Sequence, residues 1–190
     1  MAVFSKCLVA CGAALLASCF GPAGGWRAEV EMQTAQLGYR NWIVIAEASF
    51  PAHSQPGTRQ INSYEPVPVV LDDVLTTLEK TEHVRPKIYM TRELRAVEND
   101  YAPGIDQLRK DIEASLHGHE VIELEQDSLV TLVQDAQRSF DVLVVRTNTA
   151  LPYSTIFIEL EPGYWDGESE TRLREQIERQ RMERLASPHP

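Results

Sequence analysis

Trp42-Ile43-Val44-Ile45-Ala46 is an unbroken run of apolar residues, three of them β-branched. A strand with one face in water alternates apolar and polar residues, whereas a continuous apolar run is typical of a strand buried on both faces. Such strands occur in sheets that helices cover on either side. The run therefore predicts an α/β protein with a covered central sheet.

Helical and extended patterns alternate on both sides of this run. Helices are predicted over residues 29–37, 72–80, 104–116 and 128–139, the last with Asp127 as its N-cap. Further strands are predicted over residues 87–91, 121–124, 141–146 and 155–160, with 67–70 extended and 48–57 a loop. This order predicts a three-layer α/β/α fold with a mixed, largely parallel sheet and right-handed crossovers.

The composition is that of one globular domain with an acidic surface. The chain has 190 residues, 18 basic and 28 acidic, which gives a net charge of -10. This length and balance exclude a disordered tail, a collagen-like chain and a multi-pass membrane protein. Since negative charge repels phosphate backbones, we expect no nucleic acid partner.

Residues 1–25 have the pattern of an export signal. Lys6 precedes an apolar run of about 11 residues, which suits a signal peptide, because a membrane-spanning helix needs about 20. The run ends in Leu16-Ala17-Ser18-Cys19, which resembles the bacterial lipobox and predicts lipidation at Cys19. The alternative is an ordinary secretory signal that is cut a few residues later, so that Cys19 is discarded. Either way we expect an exported protein of the periplasm or cell envelope, and with a lipidated Cys19 the lipid anchor would be its only membrane contact.

The cysteines and the C-terminal composition define the remaining parts of the chain. All three cysteines lie in the leader, at positions 7, 11 and 19, which excludes a disulfide scaffold, a zinc-thiolate site or a cysteine nucleophile in the folded part. The body is predicted at residues 29–165. Residues 166–190 form a charged tail with a helix over 172–185, either a solvated appendage or a helix that packs on a neighbouring subunit.

No cofactor or metal site is predicted. The sequence has no phosphate-binding loop, dinucleotide fingerprint, nucleophile elbow or HExxH motif. His117-Gly118-His119 could hold a metal, but no third ligand has a recognisable spacing, and exposed polar residues are common beside a glycine at a helix end.

Two polar segments are candidates for chemistry. One lies beside the apolar run, and the other precedes the last predicted strand. Glu47 follows the apolar run directly, and ligands of open α/β sheets gather at the carboxyl ends of strands. A carboxylate there can bind a hydroxyl or take a proton, unless it only caps the loop. Tyr153 could stack on a sugar or donate a proton, or it could close the core at the start of a strand.

Several segments together resemble the D-ribose pyranase / L-fucose mutarotase family. They follow the family's order and spacing between residues 29 and 163. They are Leu37-Gly38, the apolar run, FPAHS at 50–54, DAQRSFDVLVV at 135–145 and PYSTIFIELEPG at 152–163. The resemblance implies a homo-oligomeric ring with sites near subunit contacts. It also implies a cofactor-free reaction that interconverts ring forms or anomers of a free monosaccharide.

The resemblance also implies site residues, with departures from the family's pattern. Catalytic roles fall on Tyr39, Glu47 and Tyr153, and sugar-binding roles on His53, Ser54 and Thr155. The family has histidine at the position of Tyr39, aspartate at Glu47, and Gly/Ala-Asn at Ser154-Thr155. A phenol is a poor base near neutral pH, so Glu47 would be the base, with Tyr39 or Tyr153 as donor. The alternatives are a non-catalytic sugar-binding or assembly protein, and a structural envelope lipoprotein.

Overall fold

The structure is a computed structural model and describes residues 25–51 and 56–186. Its helices and strands follow one another in this order: α1 (Gly25–Thr34), β1 (Trp42–Ala46), β2 (Thr58–Asn62), α2 (Val67–Glu79), β3 (Val84–Thr91), α3 (Arg92–Ala96), α4 (Ile105–Ser115), β4 (Val121–Leu124), α5 (Gln126–Ala136), β5 (Val142–Arg146), β6 (Ile156–Pro162) and α6 (Gly167–Ala186).

The six strands form one mixed sheet in the order β2-β5-β1-β6-β3-β4. β6 is antiparallel to β1 and β3, while all other pairs are parallel. The predicted mixed, largely parallel sheet is therefore confirmed. Strands β1 to β5 all end at one edge of the sheet, where β6 begins; we call this the carboxyl edge, and the other the amino edge.

Helices cover both faces of the sheet, as the apolar run predicts. Every residue of β1 is buried. On one face, Ile43 and Ile45 pack in a core with α1, α2 and α4. On the other face, Val44 packs with Phe157 and with Leu129 of α5. This arrangement agrees with the α/β/α fold.

Two predictions between β1 and α2 were wrong. β2 was not predicted, because it is a polar strand at the end of the sheet in which only Ile61 is buried. Residues 67–70, predicted as extended, begin α2 instead. Pro66 is the N-cap of that helix and Pro68 lies in its first turn, where a missing N–H leaves no hydrogen bond unmade.

Other element boundaries also differ from the predictions. β3 begins at Val84 and contains Pro86, which pairs with β6 in a part of the strand that β4 does not reach. Proline is tolerated where one side of a strand has no partner. α1 ends at Thr34, well before Gly38, and α3 was not predicted.

The start of α5 uses a cap from another element. The helix begins at Gln126, and its N-cap Glu125 makes no side-chain capping bond, so the predicted cap at Asp127 was wrong. Glu93 of α3 accepts the N–H of Gln126 at 3.0 and 3.2 Å through its two carboxylate oxygens. A carboxylate from a distant segment thus satisfies one of the free amides of the helix.

α6 accounts for the charged tail. It has 20 residues, none of them buried. Ion pairs within the helix, such as Arg174 with Glu170 at 2.6 Å, join its successive turns. Across residues 25–51 and 56–186, none of the helices combines the length and the apolar character that a bilayer crossing requires.

Candidate functional site

Three of the predicted site residues meet at the carboxyl edge. Glu47 directly follows β1, Thr155 directly precedes β6, and Tyr153 lies three positions before β6. Because β6 runs antiparallel to β1, with Ile45 opposite Ile156, the start of one strand lies beside the end of the other. The topology therefore brings Ser154 and Thr155 into contact with Glu47, from which they lie 107 and 108 positions away in the sequence.

The Glu47 carboxylate is held by two neighbours. Oε1 accepts a hydrogen bond from the Ser49 hydroxyl at 2.6 Å. Oε2 accepts the Ser154 backbone N–H at 3.3 Å and faces the Ser154 hydroxyl at 3.5 Å. Each oxygen has a second lone pair for a ligand. The protein partners thus orient the half-buried carboxylate and leave it able to accept hydrogen bonds from a ligand.

Buried hydroxyl groups fix the backbone beneath this carboxylate. The hydroxyl of Thr155 accepts the N–H of Glu47 at 3.2 Å, and its residue is only 4% exposed. The hydroxyl of Thr147 donates to the carbonyl of Ala46 at 2.8 Å. In this structure Thr155 supports Glu47, and its predicted contact with sugar stays a prediction.

Tyr153 faces outward and is not part of the core. It is 36% exposed, and its backbone lies in the left-handed region at φ 59°. The Thr91 hydroxyl donates to its carbonyl oxygen at 2.8 Å. A non-glycine residue in this region is uncommon and is retained only where the surroundings hold it. The interpretation of Tyr153 as a core-closing residue was therefore wrong.

An open depression lies beside the carboxylate. Its volume is about 450 Å³, and it is widely open to solvent. Its lining comes from the segments after β1 and before β6: Glu47, Ala48, Ser49, Ala150, Leu151 and Pro152. The lining offers a carboxylate, a hydroxyl and apolar surface, a mixture that suits a small neutral polyol.

Sequence reasoning missed Arg146, the last residue of β5. Its guanidinium donates to the carbonyl oxygens of Ala48 and Phe50, at distances of 2.7 to 3.1 Å. The one available signal is a cation that ends a run of four buried apolar residues. That signal does not reveal its partners, which lie 96 and 98 positions away.

Tyr39 lies at the other end of β1, on the amino edge. It precedes the strand by three residues, and its neighbour Arg40 pairs with Leu160 near the end of β6. The five residues of β1 span roughly 16 Å. Within one chain Tyr39 and Glu47 therefore lie apart, because the strand separates the two side chains. Tyr39 is 59% exposed there.

Three predicted residues lie outside the described residues. They are His53 and Ser54, which follow Pro51, and Cys19 in the leader. Their predicted roles in sugar binding and lipidation stay predictions.

His117 lies in a cluster of carboxylates on the helical face away from this site. Its Nε2 is 2.8 Å from Asp72 and its Nδ1 is 3.0 Å from Glu79, both on α2. The hydrogen bond to Asp72, followed by that to Glu79, raises the pKa of His117 above its usual range. The His117 hydrogen bond in turn lowers the pKa of Glu79. Within residues 25–51 and 56–186, no group of three or more acidic, histidine or cysteine side chains could hold a metal ion.

Comparison with known proteins finds similarity among solved structures alone. Neither a family model nor a curated protein matches the chain. RbsD from Bacillus subtilis, solved with D-ribose, is 21% identical, with a TM-score of 0.49 over 70% of this chain and 92% of that one. The fucose mutarotase from Streptococcus pneumoniae, solved with L-fucose, is 19% identical, with a TM-score of 0.46 over 68% and 89%. FucU from Bifidobacterium longum is 13% identical, with a TM-score of 0.45 over 70% and 94%. Two of these three structures contain a free monosaccharide, D-ribose in one and L-fucose in the other.

Proposed function

We propose that this protein binds a free monosaccharide at the carboxyl edge and interconverts its ring forms or anomers. The observation that carries the proposal is the oriented carboxylate of Glu47, which opens onto a depression of about 450 Å³ lined by the segments after β1 and before β6. D-Ribose and L-fucose, which two of the similar structures contain, belong to the same class of ligand.

The reaction needs one acceptor and one donor of protons. The Glu47 carboxylate takes the proton of the anomeric hydroxyl while Tyr153 donates to the ring oxygen, so that the ring bond breaks and the open-chain carbonyl forms. The ring then closes on the other face of the carbonyl, or through a different hydroxyl. In this closure the attacking hydroxyl gives its proton to the Tyr153 phenolate, and Glu47 returns its proton to the new anomeric oxygen, so that both side chains regain their starting states. No cofactor enters this balance.

Anomer exchange measured by saturation-transfer NMR tests the proposal. Ribose, fucose and galactose are the substrates, and Glu47→Gln is the central variant. We expect exchange to fall by about 10²–10⁴-fold, because the amide cannot accept a proton. Glu125→Gln is the matched control, since Glu125 follows β4 at the same edge of the sheet, on the far side of β3. Tyr153→Phe should lower exchange while leaving the ring for stacking.

The outcomes separate the alternatives. Binding without exchange above the buffer rate would replace the catalytic proposal with a non-catalytic sugar-binding protein. Absence of binding for all three sugars would favour a structural role. It would refute both the catalytic proposal and the non-catalytic sugar-binding alternative. Unchanged exchange in Glu47→Gln would show that another group is the base.

A homo-oligomeric ring would give Tyr39 a place in this function. Tyr39 and Glu47 lie on opposite edges of one chain, so a head-to-tail contact between copies would bring them together. Light scattering should then give a mass several times that of one chain. If Tyr39 of a neighbouring copy is the donor in place of Tyr153, Tyr39→Phe and Glu47→Gln should each lose exchange. Mixing the two variants should then restore part of it, since some contacts would combine two intact residues. A monomer at micromolar concentration would contradict this assembly.

We also propose that the protein is exported and anchored through lipid at Cys19. The support is the sequence from Leu16 to Cys19 alone. Mass spectrometry of the mature N-terminus should find a lipid-modified Cys19 in the membrane fraction, and Cys19→Ala should release the protein or leave it unprocessed. An unmodified, later N-terminus in a freely soluble protein would refute the anchor.

A further inference from the structure

Arg146 directs its guanidinium at the backbone that follows Glu47. Nε and Nη2 both donate to the carbonyl of Ala48, at 3.1 and 2.7 Å, and Nη2 also donates to the carbonyl of Phe50 at 3.0 Å. In the sheet, Arg146 is paired with Ala46 on β1, so its side chain starts beside the point where β1 ends. One half-buried guanidinium therefore donates hydrogen bonds to two carbonyl oxygens of a single short segment.

The segment that Arg146 binds has few other backbone hydrogen bonds. Residues 47–51 belong to no helix or strand. Their backbone amides make three hydrogen bonds, from Glu47 to the Thr155 hydroxyl at 3.2 Å, from Ala48 to the Thr149 carbonyl at 2.8 Å and from Phe50 to the Glu47 carbonyl at 3.1 Å. Ser49 lies between Ala48 and Phe50, the two residues whose carbonyls Arg146 binds, and its hydroxyl donates to the Glu47 carboxylate at 2.6 Å. A continuous series of contacts thus leads from Arg146 to the carboxylate.

The residue type matches this task. No carboxylate pairs with Arg146 within the part of the chain that the structure describes, so its charge acts on carbonyl oxygens only. A guanidinium presents several N–H groups in a rigid plane, whereas a lysine ammonium is a compact charge on a flexible stem. A planar fork can hold two carbonyls at a fixed separation.

We propose that Arg146 is a positioning residue: it fixes residues 48–50 so that Ser49 orients the Glu47 carboxylate for the sugar. Arg146 does this without touching the substrate. The inference rests on the proposed function for its consequence in catalysis, but its structural part can be tested without any sugar.

The structural part is tested by NMR on the full chain without ligand. Arg146→Met should speed amide hydrogen exchange at Ala48 and Phe50 by about tenfold or more, because the segment opens more often. It should also move the carboxyl carbon resonance of Glu47. Ser49→Ala should move that resonance too, without faster amide exchange. The matched control is Arg59→Met on β2, whose exposed side chain bonds Gln33, and it should change neither readout.

The catalytic part is tested by anomer exchange. We expect kcat to fall by about 10²-fold in Arg146→Met, the cost of a misplaced catalytic group, with a smaller change in KM. Arg146→Lys should recover part of the loss, because an ammonium can still donate to a carbonyl. It also serves as the test variant if Arg146→Met does not fold, since a positioning role predicts faster amide exchange there as well.

The results separate this inference from the proposed function. If the native chain neither binds nor exchanges any sugar, the proposed function fails, and the two NMR readouts still decide whether Arg146 orients Glu47. If Arg146→Met and Arg146→Lys both keep the native amide exchange and the native Glu47 resonance, the positioning role is overturned, whatever the sugar assays give.

Discussion

His117→Asn should remove a pH-dependent part of the stability. The ring of His117 lies between two carboxylates, at 2.8 Å from Asp72 and 3.0 Å from Glu79, so both ring nitrogens must donate and the imidazolium is the form that fits. Asparagine is the replacement of choice because His117 has a φ of 53°, a conformation that asparagine tolerates. The substitution therefore removes the charge with little backbone strain.

The magnitude follows from the exposure of the pairs. The side chain of His117 is 27% exposed, while those of Asp72 and Glu79 are 57% and 46% exposed. Partly exposed pairs contribute about 0.2–1 kcal/mol each, so we expect about 1 kcal/mol in total. A raised pKa of His117 means that this contribution is fully present below the unfolded value of 6.5 and is lost as the pH rises through the folded value. A lowered pKa of Glu79 means that its share is present above 4.5 and is lost in acid.

Urea unfolding between pH 5 and 9 measures the effect. The free energy of unfolding of the native chain minus that of His117→Asn should be largest near pH 5–6 and should decline by about 1 kcal/mol toward pH 9, since the other titrating groups largely cancel in the difference. Glu79→Gln should remove part of this dependence. His119 is a second imidazole that faces the same carboxylate, at 3.6 Å from Glu79, so His119→Asn should be measured beside it. A difference that stays constant over this pH range would refute the reasoning.

Two further predictions concern stability. Gly163→Ala should lower the free energy of unfolding by about 1–3 kcal/mol, because its Cβ would lie 2.3 Å from the carbonyl oxygen of Glu82. Gly38→Ala, which meets no atom within 4 Å, is the control, and equal effects of the two in thermal unfolding would contradict the prediction. Glu93→Ala should cost about 1 kcal/mol, since it removes the acceptor at the start of α5. Hydrogen exchange at the Gln126 amide should become faster, and an unchanged rate would show that the contact does not cap the helix.

The parts of the fold that were predicted are those in which local pattern and burial agree. β1 is apolar because both of its faces are covered, and α2 repeats buried leucines and valines at helical spacing. β2 was missed because only Ile61 of its residues faces the core, so its sequence carries almost no strand pattern. Its existence depends on β5, which lies about 80 residues further along the chain.

In the candidate site, too, some residues could be predicted from local sequence and others depend on distant parts of the chain. Glu47 could be predicted because ligands gather at the carboxyl ends of strands, a rule that needs only the position of β1. Tyr39 is eight positions from Glu47 in sequence (47 − 39), yet an extended strand carries them to opposite edges. Arg146 could not be linked to the site from sequence, because its partners are backbone carbonyls and any residue type supplies those.

The central position of β1 has a consequence for how the chain folds. Trp42 is paired with Val142 on one side and with Glu159 on the other, partners that lie 100 and 117 residues away (142 − 42 and 159 − 42). At the usual pace of synthesis, about 5–20 residues per second, β1 waits roughly 5–20 s before either neighbour exists. During that time the most apolar strand of the protein has two open edges, so a nascent chain must be kept from aggregation by other means. A chain truncated before residue 142 lacks both neighbours of β1, and folding of the sheet therefore depends on the last quarter of the sequence.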